Sequence, residues 1–353
     1  MRTPWGPRAR RRLASAALGA ALAASGLLAL GSGAVPLPFR EVAGILGSRL
    51  AGLLGLRSGA GASWPAAHEA IVWSLRVPRV LLGMGVGAGL GVAGGAFQGL
   101  FRNPMADPYV IGVSSGAALG AALAITFHPP VGVLGLGSVP LAAFVGALAT
   151  AFVVYSLARV GRDVPVGNLL LSGVAVGSFL SAVVSLVLIL SRKNLDQVVY
   201  WLMGSLSGRG WTYLGAAVPY LVAGTATLLL LARDLNALLL GDEEAAHLGV
   251  PVEHTKRVIL VASSLLTAAC VAACGIIGFV GLVVPHMVRL VVGPDHRVLL
   301  PVSALAGSLL LVLADLVART ALRPAELPVG VVTALIGGPF FLYLLRRSRS
   351  GIP

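Results

Sequence analysis

Ten apolar runs, most of them near 20 residues long, leave this chain few ways to fold. The first spans residues 13–30. Others follow at about 79–101, 109–127, 139–158, 168–190, 212–232, 257–275, 276–292, 299–318 and 328–345. About 20 apolar residues make one helical crossing of a bilayer, and two of these runs are short enough to be tilted or partly re-entrant. Lipid offers backbone groups no hydrogen-bond partner, so only helices or a closed barrel can cross it. The runs are rich in Ala, Leu and Val and carry many of the 46 glycines, without the period-two alternation of barrel strands. Charged residues make up 11% of the chain, where a soluble globule carries about 25%. The sequence therefore predicts an all-α integral membrane protein with about ten transmembrane helices in a single domain over residues 1–353.

Charge placement sets the expected topology. The net charge is +13 and the pI about 11.1, but the basic residues flank the apolar runs as topology signals do, so no nucleic-acid partner is expected. Residues 2–12 hold five arginines. A cleavable signal peptide ending near Gly33 and Ala34 would fit that start, yet a chain with many spans needs no removable signal, and a first spanning helix is preferred. With the N-terminus inside, lysine and arginine number 16 on cytoplasmic segments and 10 on external ones. That bias predicts a cytoplasmic membrane protein with a basic N-terminus at 1–12, an external loop at 35–74 holding a short helix, and a cytoplasmic tail at 346–353.

The longest hydrophilic run is residues 233–257, RDLNALLLGDEEAAHLGVPVEHTKR, with five of the chain's thirteen acidic residues. Asp234 is expected to cap a helix through Leu240 that Gly241 ends in the left-handed conformation. Asp242 then caps a second helix, Glu243 and Glu244 face its positive N-terminus, and Gly249 with Pro251 stops it. Such an elbow between spans suits contact with a soluble partner, although a solvated loop shares the pattern. In the second span Gly83, Gly87, Gly91, Gly95 and Gly99 recur every four residues and bare one helix face for close packing.

Several motifs are decoys. Gly89 to Gly94 matches GxGxxG but lies inside an apolar run with no preceding strand. Gly112 to Gly116 matches GxSxG without the strand-to-helix elbow that would expose Ser114. Lys193 and Lys256 are the chain's two lysines, and neither sits in a P-loop. Cys270 and Cys274, four apart in an apolar run, read as small core residues; no metal site is expected. Ionisable groups in the spans are few: Asp315, with His286, Arg289 and Arg319 near ends. That is thin material for an ion-coupled carrier.

Five stretches resemble one family in order along the chain. These are Arg76-Val-Pro-Arg79, Gln98-Gly-Leu-Phe-Arg-Asn-Pro-Met-Ala-Asp-Pro108 with Gly112-Val-Ser-Ser-Gly-Ala117, Gly278-Phe-Val-Gly-Leu-Val-Val-Pro-His286, Asp295-His-Arg-Val-Leu-Leu-Pro301 and Glu326-Leu-Pro-Val-Gly-Val-Val-Thr-Ala334. From about residue 70 onward the chain resembles the FecCD-type permeases of ABC importers for iron–siderophores, haem and vitamin B12. The resemblance implies the type II ABC importer permease fold and a dimer of permeases. It implies two ATP-binding subunits on the cytoplasmic side, which hold the ATP and Mg, and an external substrate-binding protein. No cofactor on this chain is implied. The elbow, with Leu239, Gly241, Asp242, Glu243, Ala245, Leu248 and Gly249, would dock on the ATPase. Arg76, Arg79 and Arg319 would receive glutamates of the binding protein; contact with lipid headgroups is the alternative. A translocation path would follow the fifth helix at Asn168, Ser172, Gly173, Gly177 and Ser178 and continue through residues 199–206, though helix packing explains those small residues equally well. A secondary carrier, an intramembrane enzyme with Ser114 as nucleophile, and a structural protein are the rival classes. The choice among siderophore, haem and cobalamin stays open, as do homodimer against heterodimer and the role of 35–74.

Overall fold

The computed structural model describes residues 7–33, 35–55, 64–129, 132, 135–161 and 164–349, which are almost entirely helical. Residues 1–6 of the basic N-terminus, 56–63 of the external loop and 350–353 of the tail lie outside the described residues. Seven helices are long and apolar enough to cross a membrane: Arg11–Gly31, Ala66–Leu100, Ser138–Ala158, Val166–Leu190, Trp211–Leu230, Val252–Cys274 and His296–Ala318. Three shorter apolar helices, Val113–Phe127, Val280–Val292 and Val329–Leu344, complete ten spans in the expected order. The first span's helix begins at Pro7. The expected short helix of the loop is Phe39–Leu53.

One boundary differs from expectation. The second span does not begin near 79. It runs unbroken from Ala66 to Leu100, with a π-helical turn at Ile71–Arg76. Pro78 falls just after that turn, where the ladder changes step and a missing N–H costs least. The charged residues that mask this extension in the sequence are satisfied by distant partners: Glu69 pairs with Arg49 at 2.7 Å.

The second and seventh spans form the middle of the molecule, each 78% buried over its most apolar window, whereas the fifth is 11% buried and lies at the periphery. The glycine face of the second span meets the ninth span. A methyl group on Gly87 would collide with the Gly307 carbonyl, and one on Gly307 with the Gly87 carbonyl, so the two backbones touch reciprocally. One turn on, Gly91 abuts the Ser303 carbonyl, Gly95 the Leu300 side chain and Gly99 the His296 ring. Ser308 Oγ adds a hydrogen bond to the Met84 carbonyl at 2.7 Å. Small residues at this spacing let helix backbones approach closely, which is how spans associate when lipid removes the hydrophobic drive.

The decoy motifs fall inside this packing. Gly89 faces Cys270 and Leu266, and Gly94 meets the Gly281 backbone. Gly112, at φ 78°, opens the third span and leaves Ser114 in the first turn of a helix rather than on a strand-to-helix elbow. Both cysteines are buried and free.

Candidate functional site

Functional groups gather at the two ends of the bundle. At one end the elbow forms two short helices, Ala232–Leu238 and Asp242–His247. Their capping differs from expectation. Leu231 holds the N-cap position of the first helix, and Asp234 lies within its first turn without a capping bond. That helix ends at Leu238, so Gly241 is not its left-handed stop. Gly241 has φ 138° and ψ 159°, and it serves as the N-cap of the second helix. Asp242 is the first residue of that helix and its carboxylate is taken elsewhere, by Lys256 Nζ at 2.5 Å and by Arg102. Gly249, at φ 85°, closes the second helix: its N–H reaches the Ala246 carbonyl and that of Val250 the Ala245 carbonyl, a Schellman pattern.

The elbow is bolted to three spans. Arg102, at the end of the second span, donates to the Leu238 carbonyl at 2.7 Å. Lys256 of the seventh span holds Asp242. Asn236 donates to Asp295 Oδ1 at 2.7 Å and accepts the His296 N–H at 2.8 Å, which ties the elbow to the start of the ninth span. Burial works to raise the Asp242 carboxyl, but Lys256 and Arg102 overcome it and hold it below the usual range. Desolvation is likewise outweighed at Asp295, where bonds from Arg297 and Asn236 bring the carboxyl down to about 2. Leu235 and Ala245 are fully buried beneath the elbow. Ala245 therefore supports the elbow from inside and offers no side chain to a partner. Outward stand Leu240 and Leu248, each 65% exposed, with Glu243 and Glu244 beside them and Leu239 half-buried.

The first span's Arg11 donates to the Val292 carbonyl at 3.1 Å and lies 4.0 Å from Asp295, so the N-terminus shares the elbow's end. At the opposite end Arg76, Arg79 and Arg319 converge on one cavity of about 370 Å³, together with Arg209, Ser207 and Glu326. Arg79 carries two carboxylates, Asp315 at 2.8 Å and Glu326 at 2.9 Å. Arg319 lies 3.3 Å from the same Asp315. Arg76 donates to the backbone carbonyls of Leu30 and Val35 at 2.7 and 2.5 Å. Arg76 and Arg319 are only 6% and 3% exposed, so neither reaches out to lipid headgroups. Sequence reasoning named the three arginines and Asp315 but not that Asp315 and Glu326 hold Arg79, nor that Arg209 joins them. The motif containing Glu326 was the available signal.

The fifth-span residues divide. Gly173 packs on the Val110 backbone and Gly177 lies 3.4 Å, as a virtual methyl, from Ser115 Oγ. Gly173 thus serves packing against the Pro108–Ile111 turn that precedes the third span, and Gly177 packing against the third span itself. Asn168 and Ser178 are exposed and Ser172 half-exposed, on a face that also shows Leu171, Val174 and Phe179. A short helix, Leu195–Leu202, follows, and the 203–206 turn beyond it packs on Ile276 and Ile277.

Ten packed spans, a helical elbow tied to three of them and a polar cavity at the far end define a multi-pass membrane permease. The chain belongs to the FecCD transport family, which matches it over residues 21–347. It is 49% identical over 283 residues to the cobalamin import system permease protein of Halobacterium salinarum, covering 80% of this chain and 75% of that protein. It is 40% identical to the Fe(3+) dicitrate transport system permease protein of Escherichia coli K12, over 93% of this chain and 96% of that one. A solved inward-facing structure of a metal-chelate type ABC transporter superposes with a TM-score of 0.79 at 32% identity, covering 94% and 98% of the two chains. The fold is the type II ABC importer permease fold, and the chain is a permease of that importer class.

Proposed function

We propose that this chain is the subunit through which a separate ATPase drives uptake of an iron chelate, haem or cobalamin across the cytoplasmic membrane. The observation that carries this is the elbow. Its exposed Leu240 and Leu248 stand on a base fastened to the second, seventh and ninth spans, so force applied there is delivered to the middle of the bundle. Two copies of the permease, two ATP-binding subunits holding ATP and Mg, and an external binding protein complete the machine. The chain itself hydrolyses nothing. Both termini are then cytoplasmic, the arginine cavity faces outward to receive carboxylates of the binding protein, and the weakly buried fifth span lines the path between copies. In this structure Arg79 spends its fork on Asp315 and Glu326 and Arg76 on the Leu30 and Val35 carbonyls, so docking requires the incoming carboxylates to displace those partners. An ion-coupled carrier is less well supported, since Asp315 is already neutralised by Arg79 and Arg319.

The test is Gly241→Val. Valine at φ 138° is strained by about 1–3 kcal/mol, and its Cβ would strike the Glu244 carboxylate. The elbow is misdirected while the spans are untouched. In the reconstituted complex, ATP hydrolysis coupled to uptake should fall at least tenfold with the protein still folded. Wild-type coupling in that variant would remove the elbow from the ATPase contact.

A further inference from the structure

The helix Phe39–Leu53, between the first and second spans, has three distinct sides. One packs on the bundle: Val42 and Ile45 are fully buried, in one apolar cluster with Leu30 of the first span, Val77 of the second and Val312 of the ninth. A second side is polar, where Glu41 pairs with His68 at 2.7 Å and Arg40 is exposed. The third is apolar and bare. Phe39, Ala43, Gly47 and Leu50, with Leu54 just beyond the helix, recur every three or four residues and so share one face. Phe39 is 60% exposed, Leu50 54% and Leu54 76%. Nothing lies within 4 Å of a methyl group built on Gly47, so among the described residues none covers the middle of this face.

The height and direction of this helix decide what covers the bare face. Glu41 and Arg49 lie about 12 Å apart along it, yet they pair with the adjacent residues His68 and Glu69 of the second span's extension. The helix therefore lies across that extension rather than along it. Arg49 also stands 5.8 Å from the centre of the Trp73 ring, and Trp73 meets Trp211, the first residue of the sixth span, at 5.2 Å. The Trp211 indole N–H bonds the Trp73 carbonyl at 2.9 Å. Tryptophans at span ends mark the headgroup level of a bilayer. The buried side agrees, since Leu30 lies in the last turn of the first span, whose Leu27 and Leu28 are already exposed where lipid surrounds a span. An exposed row of Phe and Leu at this level, beside the bundle, borders acyl chains.

We infer that Phe39–Leu53 is an interfacial helix, seated by Phe39, Leu50 and Leu54 in the lipid leaflet at the arginine-cavity end, with Arg40 at the edge of that face reaching the lipid phosphates. Val35, between the first span and this helix, gives Arg76 a carbonyl, so the lipid seat also sets the height of one wall of the arginine cavity. The inference needs only that the spans cross a bilayer and draws on nothing of the transport reading. The test places single spin labels on the full-length protein in phosphatidylglycerol–phosphatidylcholine nanodiscs through Phe39→Cys, Leu50→Cys and Arg40→Cys. Both native cysteines are buried, and unsubstituted protein taken through the labelling gives the background. Each label is then challenged with oxygen, which concentrates among acyl chains, and with a nickel chelate, which stays in water. The ratio of oxygen to nickel accessibility should be severalfold higher at 39 and 50 than at 40. Leu54→Cys repeats the reading if either of the first two variants fails to fold. Nickel chelate reaching 39 and 50 as readily as 40 would put the face in water and overturn the lipid seat. Exclusion of both reagents from 39 and 50 would mean that protein, such as a second copy of this chain, covers the face, and overturns it equally.

Discussion

Gly87→Val is expected to lower the apparent Tm of the purified protein by roughly 5–10 °C, or to prevent its recovery as a folded species. The added methyls would land on the Gly307 carbonyl and on Ser308 Cα, and Gly307 presents its own bare backbone in return. Where overpacked side chains can rotate away, the cost is about 1–3 kcal/mol. Two backbones cannot rotate away, so the second and ninth spans must part, and about 3 kcal/mol or more is expected. Each kcal/mol moves Tm by about 2–4 °C in chains of this general size. Separation would also strain the Ser308–Met84 hydrogen bond and the glycine contacts on either side. Gly47→Ala is the control, because nothing lies within 4 Å of that position in the Phe39–Leu53 helix. Alanine there gains up to about 1 kcal/mol of helix propensity, so its Tm should hold or rise. A wild-type Tm for Gly87→Val would show that the seam is not where these helices meet.

Asp315→Ala should cost about 3–5 kcal/mol, because it strands a buried positive charge. Arg319 is 3% exposed, Asp315 is its ion-pair partner, and its Nη2 already lacks an acceptor. Arg79 loses one of two carboxylates and keeps Glu326. Removing both charges together is expected to be milder than removing one. Asp315→Leu combined with Arg319→Met should therefore recover a large part of the loss, since apolar groups of similar volume often replace a buried pair without penalty. A double-mutant cycle on thermal stability measures this directly. Additive single effects would mean that the two residues do not interact and that Asp315 is stabilised by something else.

The ten spans were legible because the bilayer imposes a length on each apolar run, and a length can be read from one sequence. The start of the second span was not. His68, Glu69 and Arg76 interrupt its apolar character, and their partners Glu41, Arg49 and the Leu30 and Val35 carbonyls lie 20 to 46 residues away, beyond any local window. The glycine face could be read, but not that Gly307 and Ser303 lie against it. At the elbow, two helices and the Gly249 stop follow from local conformational rules. The roles of Asp242 and Gly241 do not, because Arg102, 140 residues earlier, and Lys256, 14 residues later, claim the Asp242 carboxylate. The arginine cluster was reached through resemblance. Its internal carboxylates and Arg209 join it only through the packing of the second, ninth and tenth spans against the 203–209 turn.

The most direct measurement is uptake by proteoliposomes holding this chain with the proposed ATPase and binding-protein subunits, with ferric dicitrate, haemin and cobalamin assayed in parallel. Uptake of at least one should require ATP on the elbow's side and the ATPase subunit, and should persist when proton and sodium gradients are collapsed. Uptake that survives removal of the ATPase, or that follows an ion gradient, would contradict an ATP-driven importer.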